Sequence, residues 1–141
     1  MNFAVVYYSR GGNTRKLADA IAIELGVKAV DVKADSPDVS GADVLVVGTG
    51  TYGGKPGKQI VTFLESLKQA NGKRAACFAS CAADAGKSLA AVQEILKTKG
   101  YVTIDCYSCY GRFAFFARRG HPTAEELDQA KEFARKLKNS T

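Results

Sequence analysis

Short continuous apolar runs alternate along this chain with longer stretches whose apolar residues fall three or four apart. The first run, Phe3-Ala4-Val5-Val6-Tyr7-Tyr8, is β-branched and aromatic. It lacks the polar alternation of a half-exposed strand, which predicts a strand covered on both faces. Leu17, Ile21, Ala22 and Leu25 then recur at helical spacing, with Arg15, Lys16, Asp19 and Glu24 on the opposite side. Residues 27–32 predict a second strand and Val44-Leu45-Val46-Val47 a third, with a turn-rich connection over residues 34–42 between them. Ile60, Phe63, Leu64 and Leu67 form the stripe of the next helix, and residues 75–79 predict a fourth strand. Leu89, Val92, Ile95 and Leu96 mark a further helix stopped at Gly100, and residues 101–107 a fifth strand. The last helix opens at His121-Pro122-Thr123-Ala124-Glu125-Glu126, with Thr123 and Glu126 as a capping box. Its apolar face is Leu127, Ala130, Phe133, Ala134 and Leu137.

Strands joined through helices lie parallel, so the pattern predicts an α/β fold with a parallel sheet and helices on both faces. Ligands of such sheets bind beyond the carboxyl ends of the strands. The loops at residues 9–14, 48–57, 80–86 and 108–120 are therefore expected to converge. With 141 residues and 46% hydrophobic content, the chain is expected to form one domain over residues 1–141. Met1-Asn2 leads straight into the first strand without a signal-like segment, and no apolar run approaches the roughly 20 residues of a membrane span. A cytoplasmic location is the expectation.

The turn Ser9-Arg10-Gly11-Gly12-Asn13-Thr14 joins the first strand to the first helix. Glycines there let the backbone approach an anion, and the unpaired N–H groups and dipole of the helix start attract negative charge. Ser9, Asn13 and Thr14 add side-chain donors. The plain alternative is an ordinary strand-to-helix turn capped by Ser or Asn. No Gly-x-x-x-x-Gly-Lys-Ser/Thr string or Gly-x-Gly-x-x-Gly spacing is present, which disfavours a nucleoside triphosphate loop and a dinucleotide fingerprint. Several hydroxyl and amide donors with one arginine suit a phosphomonoester.

Gly48-Thr49-Gly50-Thr51-Tyr52-Gly53-Gly54-Lys55-Pro56-Gly57 reads as a long flexible loop with one aromatic. Taken alone, Tyr52 is most simply surface packing. Beside a phosphate loop one strand away, its ring is placed to lie over a flat group, describing a mononucleotide with a large planar head.

Tyr8-Ser9-Arg10-Gly11-Gly12-Asn13-Thr14, the passage from Ala42-Asp43 through Val47 into Gly48-Thr49-Gly50-Thr51-Tyr52-Gly53, and the strand ending Cys77-Phe78-Ala79-Ser80 together resemble a flavodoxin of the short-chain type. The similarity extends to Gly120-His121-Pro122-Thr123 before the last helix. It implies a three-layer α/β/α sandwich with a five-stranded parallel sheet in the order 2-1-3-4-5, and FMN as cofactor. Ser9 through Thr14 would hold the FMN phosphate. Thr49, Gly50, Thr51, Tyr52, Gly53 and Gly54 would form the loop against the isoalloxazine, with Tyr52 stacked on it. Ser80, Cys81, Ala82 and Gly86 would belong to the third flavin loop.

The resemblance also implies an electron carrier between redox partner proteins, without a catalytic residue of its own and acting as a monomer. Two departures keep other readings open. Gly11 stands where the family pattern has Thr, and residues 80–86 lack the tyrosine that covers the second ring face in many flavodoxins. An FMN-dependent oxidoreductase acting on a quinone-like acceptor and a flavodoxin-like module that has lost FMN are the alternatives. A receiver-type signalling domain is disfavoured because the first strand ends without an acidic cluster for magnesium.

Charge modifies this picture. Flavodoxins are usually acidic, whereas 20 Lys and Arg against 14 Asp and Glu give this chain a formal net charge of +6. Arg135, Lys136 and Lys138 oppose the dipole of the last helix, and no long run interleaves aromatic with basic residues, so nucleic-acid binding is not expected. In Arg112-Phe113-Ala114-Phe115-Phe116-Ala117-Arg118-Arg119 the phenylalanines either fold back on the core or serve to dock an acidic partner.

The four cysteines read as buried thiols rather than a metal cluster, because Cys77 and Cys106 fall in apolar strands and not in tight knuckles. Cys81 and Cys109, at loop positions, are the expected reactive pair. His121 reads as loop packing.

Overall fold

The computed structural model describes residues 2–34, 37–52, 54–80, 85–108 and 124–140. Five parallel strands form the sheet: β1 (Phe3–Tyr7), β2 (Ala29–Asp31), β3 (Val44–Thr49), β6 (Arg74–Ala79) and β7 (Val102–Ser108), in spatial order β2-β1-β3-β6-β7. Counting only these strands, this is the expected 2-1-3-4-5. The order reverses between β1 and β3, so the helices that follow these neighbours, α1 (Asn13–Leu25) and α2 (Lys58–Glu65), pack on opposite faces of the sheet.

Alternation along each strand divides the core in two. Val5, Tyr7, Val44, Val46, Ala76 and Phe78 face α1 (Asn13–Leu25) and the C-terminal helix α4 (Ala124–Ser140), which supply Leu17, Ile21, Phe133 and Leu137. Val6, Leu45, Val47, Ala75, Cys77 and Ala79 face α2 (Lys58–Glu65) and α3 (Ala85–Thr98), which supply Ile60, Leu64, Val92 and Leu96. All six residues of β3 are buried, as a central strand with helices on both faces requires. Gly48 is needed there, since a Cβ at that position would lie 2.1 Å from Cζ of Phe78.

Several element boundaries shift: β3 runs on through Gly48 and Thr49, expected in the following loop, and β6 starts one residue earlier than expected, at Arg74. The second strand is three residues long, not residues 27–32. The Val27 N–H is taken by Ala22 O in the turn that closes α1, and Asp31 Oδ1 accepts the Lys33 N–H and bends the chain away. Tyr8 follows β1 rather than ending it, although its N–H still donates to Gly48 O at 3.2 Å. Leu67 lies beyond the end of α2, where the Ser66 hydroxyl donates to Phe63 O. The fifth strand is displaced one residue, from 101–107 to 102–108. The expected capping residue Thr123 lies outside the described residues, while Glu126 is buried in the first turn of α4.

Candidate functional site

The loop after β1 is shaped by Ser9 and Gly12. Ser9 Oγ accepts the Gly12 N–H at 2.9 Å, and Gly12 takes a left-handed φ of 91° that L side chains resist. This turn delivers the chain into α1, where Thr14 is buried in the first turn. Among the described residues no side chain caps α1, and no acidic residue occupies its first turn, which leaves the positive end of the helix without compensation from them. The Ser9 hydroxyl spends an acceptor lone pair inside the loop and keeps its proton for an anion. A Cβ added at Gly11 or Gly12 would meet nothing within 4 Å among the described residues.

The second loop carries a small antiparallel ribbon, β4 (Thr51–Tyr52) paired with β5 (Lys55–Pro56), with Gly54 at φ 78° between them. Thr49 anchors its base. Its buried hydroxyl donates to Gly50 O and accepts the Gly57 N–H, both at 2.9 Å, so this side chain holds the loop and is not free for a ligand.

Tyr52 joins the two loops. Its hydroxyl accepts the Arg10 N–H at 3.3 Å, and the Arg10 guanidinium lies 5.1 Å from the ring centroid. Tyr8 meets the ring edge-on at a centroid distance of 6.4 Å. Burial raises the Tyr52 phenol above its usual range, partly offset by the Arg10 N–H. Glycines make this placement possible, because a Cβ at Gly50 would stand 2.6 Å from Tyr52 Oη and one at Gly57 2.6 Å from Tyr8 Cδ2. Arg10 thus spends its side chain on the aromatic ring rather than projecting it from the loop alone.

The start of the third loop is tied to the second, with the Ser80 N–H donating to Thr49 O at 3.0 Å. Gly86 sits exposed in the first turn of α3, where a Cβ would meet nothing within 4 Å among the described residues. Gly53, Cys81, Ala82, Cys109, His121 and the segment of residues 112–119 lie outside the described residues.

These loops fit a flavin mononucleotide. A helix start that no described side chain caps, with no described atom within 4 Å of a Cβ at Gly11 or Gly12, suits the phosphate. Thr51 Oγ1 is buried without a hydrogen-bond partner among the described residues, a polar atom that a ligand would satisfy. The half-buried ring of Tyr52 is tied to the first loop by the Arg10 N–H.

Sequence reasoning missed the parts of Tyr8 and Gly57, whose contacts depend on how the ribbon folds back. It also missed the neighbouring pair Cys77 and Cys106. Elsewhere, a cavity of about 1030 Å³ opens beside α2, lined by Lys33, Asp38, Lys58, Phe63, Lys73 and Tyr101 among others. It shares no residue with these loops. Among the described residues no His, Cys, Asp and Glu cluster could hold a metal ion, and no helix is long and apolar enough to cross a membrane.

Comparison with known proteins bears on these loops. A family profile described as "Flavodoxin domain" matches residues 4–117. An uncharacterized protein of Methanocaldococcus jannaschii is 33% identical over 135 residues, covering 89% of each chain. Among solved structures, a flavodoxin from the domain Archaea superposes with a TM-score of 0.78 at 22% identity, covering 95% of this chain and 94% of the other. Oxidised flavodoxin 2 from Bacillus cereus gives 0.78 at 21% identity with full coverage of both, 100% in each case.

Proposed function

The chain belongs to the flavodoxin domain family, a family of flavin-binding electron-transfer proteins, and on that premise we propose that it binds FMN and carries electrons between redox partner proteins. The observation that carries the reading is the Arg10 N–H donated to Tyr52 Oη, which brings an anion-suited loop and an aromatic ring together. Ser9, Asn13 and Thr14 supply hydroxyl and amide donors to the phosphate, and the backbone of Gly11 and Gly12 lets it approach. Tyr52 stacks on the isoalloxazine once Arg10 gives up one face of the ring or the flavin takes the other. Thr51 Oγ1 gains its missing partner. Thr49, Gly50 and Gly54 shape the ribbon, and on this reading Gly53 from the second loop and Ser80, Cys81, Ala82 and Gly86 from the third are the remaining residues assigned to the flavin. When bound, FMN supplies one-electron or two-electron transfer, and the protein's part is to hold it, shield it and set its potential.

Thr14→Ala tests this reading. Loss of a hydrogen bond to a charged phosphate is expected to cost on the order of 1.5–3 kcal/mol of FMN affinity and to leave riboflavin affinity nearly unchanged. Equal losses for both ligands in a fluorescence titration would detach Thr14 from the phosphate. A second reading, reduction of a quinone-like acceptor, is favoured by the lack of any aromatic residue in positions 80–86, which leaves a ring face without an aromatic cover from that loop. Steady-state quinone reduction by the FMN-loaded protein decides between the two.

A further inference from the structure

Cys77 on β6 and Cys106 on β7 are register partners on adjacent parallel strands, with their sulfurs 2.8 Å apart. The alignment rests on one irregularity. Ala75 pairs with Thr103 but Ala76 pairs with Asp105, so Ile104 is an extra residue. Without that bulge Cys77 would face Asp105. Bulges re-aim side chains at sheet edges, and β7 is an edge strand. From neighbouring strands in register, the two side chains rise from the same face of the sheet, toward α3. There Gln93 reaches in, its Nε2 donating to Cys106 Sγ at 2.9 Å.

We propose that Cys77 and Cys106 form a redox-active dithiol that closes to an inter-strand disulfide on reaction with a small-molecule disulfide. Both thiols are free, and the geometry distinguishes their roles. Cys77 is fully buried, whereas Cys106 is partly exposed. Either sulfur can donate across the 2.8 Å contact, but only Cys106 also receives the Gln93 amide and reaches solvent, which favours the thiolate there, while full burial holds Cys77 as the thiol. Cys106 is the attacking sulfur and Cys77 the resolving one.

The Cys106 thiolate attacks one sulfur of the small disulfide, breaking its S–S bond, forming a mixed disulfide and releasing one thiolate. Cys77 then loses its proton and attacks Cys106 Sγ, and the second small thiol leaves. Two protein thiols are oxidised by two electrons to one disulfide, and the small disulfide is reduced to two thiols that carry away the two protons. The bond would clamp β6 to β7 close to the ends that lead into residues 80–84 and 109–123. The proposal does not depend on a flavin being bound.

The test incubates the whole protein with oxidised glutathione, blocks remaining thiols by alkylation and maps the peptides. The expected wild-type result is a Cys77–Cys106 cross-linked peptide, with both residues lost from the alkylated pool in equal amounts and no glutathione retained on either. Cys77→Ser should trap glutathione on Cys106. Cys106→Ser should leave Cys77 unreacted. A wild-type protein in which Cys77 and Cys106 remain alkylatable, or in which Cys106 bridges to Cys81 or Cys109 instead, overturns the proposal. That mapping stands even if either serine variant fails to fold.

Discussion

A methyl group added at Gly11 meets nothing within 4 Å among the described residues, and one added at Gly12 meets nothing there either, yet the two glycines differ in backbone conformation. Gly12 is left-handed at φ 91°, where an L side chain costs roughly 1–2 kcal/mol. Gly11 carries no such penalty. Gly12→Ala is therefore expected to weaken FMN by up to about tenfold, since ~1.4 kcal/mol is one decade in affinity. Gly11→Ala should be nearly silent, and Gly11→Thr, which restores the hydroxyl of the flavodoxin pattern, should tighten FMN without affecting riboflavin. Fluorescence titration of the three variants checks the order, and equal losses for Gly11→Ala and Gly12→Ala would contradict it. The glycine-rich motif was legible in the sequence, but which glycine is obligatory was not, because that depends on a backbone angle set by the Ser9 to Gly12 hydrogen bond. Tyr52 was legible as the only aromatic in its loop. Its contact with Arg10 was not, because residues 42 apart meet only once the ribbon has formed.

Between elements, Tyr107 pins the edge strand β7 to α4. Its hydroxyl donates to Glu126 O at 3.0 Å, and its ring stacks on Phe133 at 5.7 Å. Tyr107→Phe keeps the stacking and should lower stability by about 0.5–1.5 kcal/mol in denaturant unfolding at neutral pH. Burial, with the Glu126 charge adding to it, pushes the Tyr107 phenol from 10.0 up to about 12. A group whose folded pKa is raised stabilises the fold fully below its unfolded pKa, and that contribution is lost as pH rises through the folded value. Stability should thus decline between about pH 10 and pH 12, with Tyr7, Tyr52 and Tyr101, also raised by burial, sharing in the loss. Tyr107→Phe should make that alkaline limb shallower; an unchanged slope would remove Tyr107 from the account. At this scale, elements with strong patterns were the legible ones: β3 with six buried residues, and α1 with Leu17, Ile21 and Leu25 inward. The short β2, the β4–β5 ribbon and the bulge that aligns Cys77 with Cys106 arise from local hydrogen bonding and strand register, which hydrophobic periodicity does not encode.

Across the whole molecule the formal net charge is +6. Arg10, Lys55 and Lys87 stand in or beside the candidate flavin loops and would ease the build-up of negative charge on a reduced flavin. Relief of even ~1.4 kcal/mol corresponds to ~60 mV in a one-electron potential. The lower of the two flavin potentials is expected to be less negative than in acidic flavodoxins and to fall as salt rises, because salt screens exposed charges. Association with an acidic redox partner should slow over the same range. A spectroelectrochemical titration at two ionic strengths checks this, and a potential indifferent to salt would assign control to local packing and hydrogen bonds. All of this presupposes that the loops around Ser9, Tyr52 and Ser80 hold FMN, and the most direct measurement is titration of the flavin-free protein with FMN followed by visible absorption and flavin fluorescence. The account predicts a saturable one-to-one change with a perturbed flavin spectrum and quenched emission, stronger for FMN than for riboflavin. A spectrum and emission that stay those of free FMN throughout would contradict it.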